Sequence, residues 1–193
     1  TYSMHPLKNL NVWGDGGFVI CANSQLYKKM KLLRNHGLVS RDKNLIFGYN
    51  SRLDTIQAAV GIEALKKLKN TTSKRISNSM FLDKIFSKNM NIIIPKREKY
   101  LKEVFHLYHV RFQKKTIRDK VLKELIKNKI DGKIHYPTSM HLQPAAKIYG
   151  YKKGDFPVSE NLSQTSISLP VHEFLDKQDL LKMSKIILKN LPS

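Results

Sequence analysis

The chain has 193 residues, of which 41% are hydrophobic and 26% are charged, and its formal net charge is +20. This composition excludes a disordered chain, and the sequence shows neither an apolar run long enough to span a bilayer nor an amino-terminal signal pattern, which predicts a cytoplasmic protein. The charge raises nucleic acid as a partner, but the lysines are scattered through nearly every segment, which argues against a dedicated nucleic-acid-binding role.

Short strands and helices are predicted in the first part of the chain. "TYSM" has the pattern of a strand end, "GFVICA" has that of a buried strand, and Ser24 can cap the helix that follows. The long polar stretch "RNHGLVSRDKNLIFGYN" is predicted to be a functional loop closed by Gly37 and Gly48. From Arg52 the apolar residues recur every three or four positions, which predicts a helix with a break near "NTTS".

The second part of the chain mixes strands and helices as a small α+β domain does. "NIIIP" and "FHLYHVRFQ" predict strands, Thr116 opens a helix, "DGKIHYP" predicts a strand and then a turn, and "SISLP" predicts another short strand. A closing helix is marked by Leu180, Met183, Ile187 and Leu191.

Lys8 lies in the segment "SMHPLKNLNVWGDGG", between a proline and a group of glycines. A lysine acts as a nucleophile when its surroundings hold it against an electrophile such as an aldehyde, but spacing alone favours the alternative, a solvated lysine beside a turn. "GDGG" does not match the G-x-x-x-x-G-K-[ST] phosphate loop and predicts a turn. The seven histidines include no pair four residues apart with an acidic partner, so no metal site is predicted.

Several segments resemble one family of enzymes. "SMHPLKNLNVWGDGGFV" closely resembles the lysine segment of the DegT/DnrJ/EryC1/StrS sugar aminotransferases, which has the pattern S-F-H-x-x-K-N followed by G-[ED]-G-G. "LLRNHGL", "GYNSRLDTIQAAVG", "KIHYPTSMHLQPA", "GYKKGDFPVSENL" and "SLPVH" agree in order, so the resemblance covers nearly all of the chain. It implies an α/β protein, the carboxy-terminal part of the PLP-dependent transferase fold type I. Residues 1–75 would be a remnant of the PLP-binding large domain, and residues 76–193 a small carboxy-terminal α+β domain.

The resemblance also implies roles for individual residues. By position, Lys8 would carry pyridoxal 5'-phosphate (PLP) as an internal aldimine and then move a proton between substrate and cofactor. Ser3 matches the serine that hydrogen-bonds the cofactor phosphate. Asn50 matches an asparagine that reaches the phosphate in the neighbouring subunit, which implies a homodimer with shared sites. Arg52 is an even choice between an anion contact and a solvated side chain at a helix start.

Four further residues are candidates for binding the substrate. His135 and Tyr136 lie where the resemblance places residues toward the sugar nucleotide, and His141 lies nearby; the alternative for all three is a strand end whose rings only pack. His36 in "RNHG" either faces the active site or satisfies backbone groups of its loop, and the second interpretation is slightly favoured.

The implied function is a PLP-dependent transfer of an amino group, from glutamate, onto the keto group of a nucleotide-linked deoxysugar. Relatives with histidine in place of the lysine are dehydratases, so Lys8 favours amino transfer. The amino-terminal part of the family fold is not in this sequence, so we expect the chain to be inactive and poorly soluble alone, with apolar faces exposed along Phe18, Ile20 and the helix beginning at Arg52. The alternative function is a non-catalytic basic module that binds RNA or another polyanion.

Overall fold

The structure, a computed structural model, describes residues 1–192. The chain divides into two compact units, Thr1–Asn70 and Thr71–Ser193. Within the described range, none of the helices is sufficiently long and apolar to cross a membrane.

The first unit contains two small antiparallel sheets and two helical segments. Strand β1 pairs with β2, and β3 pairs with β4. The elements in chain order are β1 (Tyr2–Ser3), β2 (Gly17–Phe18), helix α1 (Ser24–Leu33), β3 (Leu38–Ser40), β4 (Lys43–Asn44) and the first part of helix α2 (Thr55–Phe86).

Two predicted helix features of this unit are wrong. Asn23, rather than Ser24, caps α1, because the Asn23 side chain accepts a hydrogen bond from the Leu26 backbone N–H at 2.8 Å. Helix α2 begins at Thr55 rather than near Arg52 and runs for 32 residues without a break at "NTTS". The loop between the helices is also more regular than predicted, since it contains the β3–β4 hairpin.

The structure also corrects the prediction of a buried strand in the "GFVICA" segment. Only Gly17 and Phe18 form a strand, and the strand is exposed rather than buried. The ring of Phe18 stacks on Tyr2 with centroids 4.7 Å apart, but β2 pairs only with β1 in the described chain, so little covers its side chains. Phe18, Ile20 and Ile56 are 40%, 69% and 73% exposed, which confirms the predicted exposure of apolar residues along this strand and α2.

The second unit is built on a three-stranded antiparallel sheet with the order β5–β6–β7. The remainder of α2, three further α-helices and two short 3₁₀ helices accompany the sheet in the described chain. After α2, the strands and helices of this unit in chain order are β5 (Ile92–Ile93), β6 (Tyr108–Phe112), α3 (Lys115–Lys127), the 3₁₀ helices Met140–Leu142 and Pro144–Tyr149, α4 (Pro157–Thr165), β7 (Ser166–Leu169) and α5 (Lys177–Lys189).

Strand β6 separates the hydrophobic core of this unit from a second, more polar side. Tyr108, Val110 and Phe112 are fully buried, whereas His109 and Arg111 alternate with them and are half-buried. This alternation is the period of a strand with one face in a core. The core also contains Leu82, Phe86, Val121, Leu125, Ile167, Leu169, Leu180, Met183 and Ile187.

The segment "DGKIHYP" differs from its prediction. It forms a single bridge rather than a strand, in which Lys133 pairs with Ser168 of β7. The chain then turns away through the 3₁₀ helices and α4, none of which was predicted. Pro137, Pro144 and Pro157 interrupt the backbone donor pattern that a strand would need, and Pro157 begins α4.

Candidate active site

Lys8 lies in a loop that is folded tightly onto the first unit. The Met4 backbone N–H donates to the Gly16 carbonyl at 2.7 Å, and the Val12 N–H donates to the Met4 carbonyl at 3.2 Å. Met4 and Val12 are buried, at 6% and 0% exposure. The Lys8 N–H donates to the His5 carbonyl at 2.8 Å, so the backbone of Lys8 is held while its side chain is half-buried.

Gly16 of the "GDGG" stretch has a packing role. A Cβ atom at this position would lie 2.8 Å from Val12 Cγ2 and 2.9 Å from Leu53 Cδ1, which leaves no room for a side chain. The turn predicted here is therefore needed for close packing between the Lys8 loop and the start of α2 within the first unit.

The remaining cofactor candidates lie in the same unit. Ser3 is exposed, and its Oγ accepts from the His5 N–H at 3.4 Å. Arg52 joins two asparagines, because its Nε donates to Asn50 Oδ1 at 3.0 Å and its Nη1 donates to Asn35 Oδ1 at 3.1 Å. Asn50 and Arg52 thus form one hydrogen-bonded group.

His36 lies next to this group, in a turn. Its φ is +55°, its N–H donates to the Tyr49 carbonyl at 2.9 Å, and its side chain is exposed. This backbone bond, together with the bridge between Asn35 and Asn50, aligns the segment around Asn50 with the end of α1. The position of His36 serves the loop geometry, and its contact with substrate stays a prediction.

The side chains of the first unit fit PLP chemically. Lys8 offers the primary amine that condenses with an aldehyde, and the Ser3 hydroxyl and the Arg52 guanidinium are donors of the kind that bind phosphate. Arg52 also lines a groove of about 780 Å³ together with Lys31, Arg34 and one carboxylate, Asp15, so the excess of cations in this groove favours anions.

The second unit contains a separate cavity of about 650 Å³. His135 and Tyr136 both line it, with ring centroids 5.4 Å apart, and they are joined there by His109. Burial and the nearby His135 lower the pKa of His109, so this imidazole is neutral at physiological pH. His109 was not among the residues predicted from the sequence, although a histidine that alternates with core residues along β6 could have indicated a polar group on the other face of the strand.

Two polar atoms at the cavity wall are buried without a partner. Ser139 Oγ and His135 Nδ1 accept or donate no hydrogen bond among residues 1–192. Buried polar groups are normally paired, so the wall retains hydrogen-bonding capacity. Ser139 was also missed from the sequence, because a serine after a proline-rich turn carries no distinctive pattern.

His141 does not line this cavity. Its Nε2 lies 3.0 Å from Glu160 Oε1, and both side chains are nearly buried. Glu160 also accepts the Gly154 N–H at 2.7 Å, and this bond, with the bond to His141, lowers the pKa of the Glu160 carboxyl. The structure therefore places His135 and Tyr136 together in the cavity lining and His141 outside that lining, and it places no group of three or more metal-ligating side chains among residues 1–192.

Comparison with known proteins identifies the family. The sequence profile of the DegT/DnrJ/EryC1/StrS aminotransferase family matches residues 1–187. A pleiotropic regulatory protein of Geobacillus stearothermophilus is 32% identical, with 96% of this chain and 50% of the relative covered. A UDP-4-amino-4,6-dideoxy-N-acetyl-beta-L-altrosamine transaminase of Campylobacter jejuni is 30% identical, with 92% of this chain and 48% of the relative covered. The chain spans about half the length of the curated relatives it matches.

A solved structure gives the same result for the fold. DesV from S. venezuelae, determined in complex with a ketimine intermediate, superimposes with a TM-score of 0.89 at 29% identity and covers 97% of this chain and 50% of its own. This similarity confirms the predicted α/β fold, that of the carboxy-terminal part of PLP-dependent transferases of fold type I. On the profile match, the sequence relatives and the shared fold, the chain belongs to the DegT/DnrJ/EryC1/StrS aminotransferase family.

Proposed function

We propose that this chain is the carboxy-terminal part of a PLP-dependent aminotransferase that transfers an amino group from glutamate to the keto group of a nucleotide-linked deoxysugar. The observation that carries the proposal is Lys8, on a loop whose backbone is fixed by buried Met4 and Val12. The names of the Campylobacter jejuni and Streptomyces venezuelae relatives, both transaminases of nucleotide-linked amino sugars, support this class of substrate.

Four residues of the first unit have a role in this proposal. PLP, when bound, supplies the electron sink for the carbon that gains or loses the amino group. Lys8 Nζ holds the cofactor covalently and, once released, carries a proton. Ser3 and Arg52 donate to the cofactor phosphate, and Asn50 does so for the partner protomer of a homodimer, with the bond to Arg52 fixing its orientation.

Borohydride reduction of the full-length protein in the presence of PLP tests the role of Lys8. We expect mass spectrometry to find the reduced cofactor on the peptide that contains Lys8, because reduction makes the bond to Nζ permanent. Lys8→Arg keeps the charge but cannot form the bond, so it should prevent labelling and lower amino transfer by about a thousandfold or more. Lys31→Arg is the matched control and should label normally.

Labelling of a different lysine, or normal amino transfer by Lys8→Arg, would overturn the assignment. The alternative of a polyanion-binding module rests on the net charge of +20 and makes the opposite prediction. In that case the protein binds generic RNA tightly with a steep dependence on salt, and Lys8 remains unlabelled.

The proposal concerns the complete enzyme. Because the chain spans about half the length of its relatives, we propose that these 193 residues do not catalyse amino transfer by themselves. The cytoplasmic location stays a prediction.

A further inference from the structure

Glu160 is a buried carboxylate at the meeting point of three segments of the second unit. It belongs to the first turns of α4, and its side chain is only 11% exposed. The carboxylate accepts from His141 Nε2 at 3.0 Å and from the Gly154 N–H at 2.7 Å. Both bonds are made to Glu160 Oε1, and a buried carboxylate with two such bonds holds its partners in fixed positions, because losing either bond leaves its charge less compensated.

The two segments that Glu160 joins both contribute residues to the lining of the cavity in this unit, and we call them its two walls. His141 follows Ser139 and Met140, which line one wall, and Gly154 precedes Asp155 and Phe156, which line the other. His141 also packs against the ring of Phe156, with centroids 4.8 Å apart.

A third ring completes this arrangement. Tyr151 meets Phe156 edge-on at 5.2 Å, so the Phe156 ring is in contact with His141 and with Tyr151. The shape of the cavity therefore depends on the bonds of a residue, Glu160, that does not line it.

The charge of the cavity indicates which part of a ligand it can receive. In the described chain its lining includes no lysine or arginine, whereas the groove of the first unit has three cationic side chains. Asp155 adds a negative charge to the lining. A diphosphate would meet this carboxylate without a compensating cation, so the lining disfavours it. An uncharged ring is suited to the apolar part of the lining, which includes Met140, Phe156 and Val158.

We propose that Glu160 is a positioning residue, which through His141 and Gly154 fixes the walls of a cavity that receives the uncharged ring of the nucleotide-linked substrate. The identity of the ligand in this inference rests on the function proposed above, but the joining of the two walls by Glu160 does not depend on that function.

A double-mutant cycle in the full-length enzyme tests this proposal. The variants are Glu160→Gln, His141→Leu and the two combined, with His141→Gln as a conservative variant whose amide can still donate to the carboxylate. Glu173→Gln is the matched control, because Glu173 is also bonded to a buried side chain of the same unit, Arg75 at 3.1 Å, but does not line the cavity.

Kinetics with UDP- and dTDP-linked keto-deoxysugars supply the first measurement. We expect Glu160→Gln and His141→Leu each to raise the KM for the sugar nucleotide about tenfold, since displaced walls misplace the ring. The KM for glutamate and the dissociation constants of UDP and dTDP should change less than twofold. The double variant should be no worse than the worse single variant, and His141→Gln should recover most of the affinity.

Several results would overturn the proposal. These are an equal loss of affinity for UDP or dTDP, a parallel change in every kinetic constant, or the same pattern in Glu173→Gln. Hydrogen exchange gives a measurement that needs no activity: Glu160→Ala should speed exchange in residues 139–142 and 150–156, and Glu173→Gln should not. If no sugar nucleotide reacts and Lys8 is not labelled, the proposed function has failed, and unchanged exchange would separately overturn the positioning role.

Discussion

Gly37 lies in the first unit where both space and backbone conformation exclude a side chain. Its φ is +72°, and a Cβ atom would lie 1.7 Å from the Ile46 carbonyl oxygen. Gly150 in the second unit shares the conformation, with a φ of +74°, but nothing lies within 4 Å of its Cβ position. A side chain at Gly150 would therefore meet only conformational strain, whereas a side chain at Gly37 would meet both conformational strain and a steric clash.

We expect Gly150→Ala to destabilise the full-length protein by about 1–2 kcal/mol, the cost of a left-handed conformation for an L-residue. Gly37→Ala should cost clearly more, because the β3–β4 hairpin must also move away from the new methyl group. Urea unfolding followed by circular dichroism measures both changes. Equal losses for the two variants would mean that the loop around Gly37 adjusts without cost.

At this scale, some residues of the candidate sites can be predicted from the sequence and others cannot, for physical reasons. His135 and Tyr136 line the second-unit cavity, and Lys8 was predicted from a motif that carries its own local geometry. Glu160 was not predicted because its hydrogen bonds to His141, 19 residues away, and to Gly154, 6 residues away, belong to no local sequence pattern. A motif can identify residue types in one segment, but it does not report which distant residue holds them.

Helix α5 shows how local sequence can determine an element boundary. Asp176 accepts from the backbone N–H groups of Gln178 and Asp179 at 2.7 and 2.9 Å, and Asp179 accepts the Asp176 N–H in return at 3.2 Å. This capping box satisfies backbone donors that have no partner inside the helix.

Asp176→Ala should destabilise the protein by about 1 kcal/mol, because it leaves these donors without their side-chain acceptor. Asp176→Ser retains an acceptor and is the control, with an expected loss of a few tenths of that amount. Thermal unfolding of the full-length protein distinguishes the two. No difference between the variants would show that water replaces the cap at little cost.

Helix α2 shows the opposite case, in which distant contacts override the local signal. The polar "NTTS" segment predicted a break, yet the helix continues through it. Beyond this segment, Arg75 is 7% exposed, and its side chain donates to Glu173 at 3.1 Å and to the His106 carbonyl at 3.2 Å. Asn78 is likewise bonded to the carbonyl of His172 at 3.0 Å. Tertiary bonds of this kind stabilise a helix where propensity is weak, and they cannot be read from a single stretch of sequence.

The size of the hydrophobic core distinguishes the two units, because among residues 1–192 the buried apolar residues of the first unit are only Met4 and Val12. In the first unit Trp13 is 81% exposed, Phe47 is 97% exposed and Tyr49 is 72% exposed. Large exposed apolar side chains on a unit with so small a core are typical of a surface that another polypeptide segment or subunit covers. The second unit instead encloses a well-defined core.

We expect the 193-residue chain, expressed alone, to be aggregated or poorly soluble, to remain unlabelled by borohydride and PLP, and to be inactive. Light scattering measures the aggregation, and Phe47→Ser should reduce it because this residue is almost fully exposed. Lys43→Ser, in the neighbouring strand, is the control and should have no such effect. A monodisperse monomer that melts cooperatively would contradict this expectation.

The sheet of the second unit limits the form that such aggregates can take. One outer edge, along β7, is already bonded to Lys133, whose backbone exchanges hydrogen bonds with Ser168 at 3.1 and 2.7 Å. The other edge is β5, which has only two paired residues. A strand from a second molecule thus finds almost no template in this sheet, so the sheet of the second unit should not extend into an amyloid-like structure.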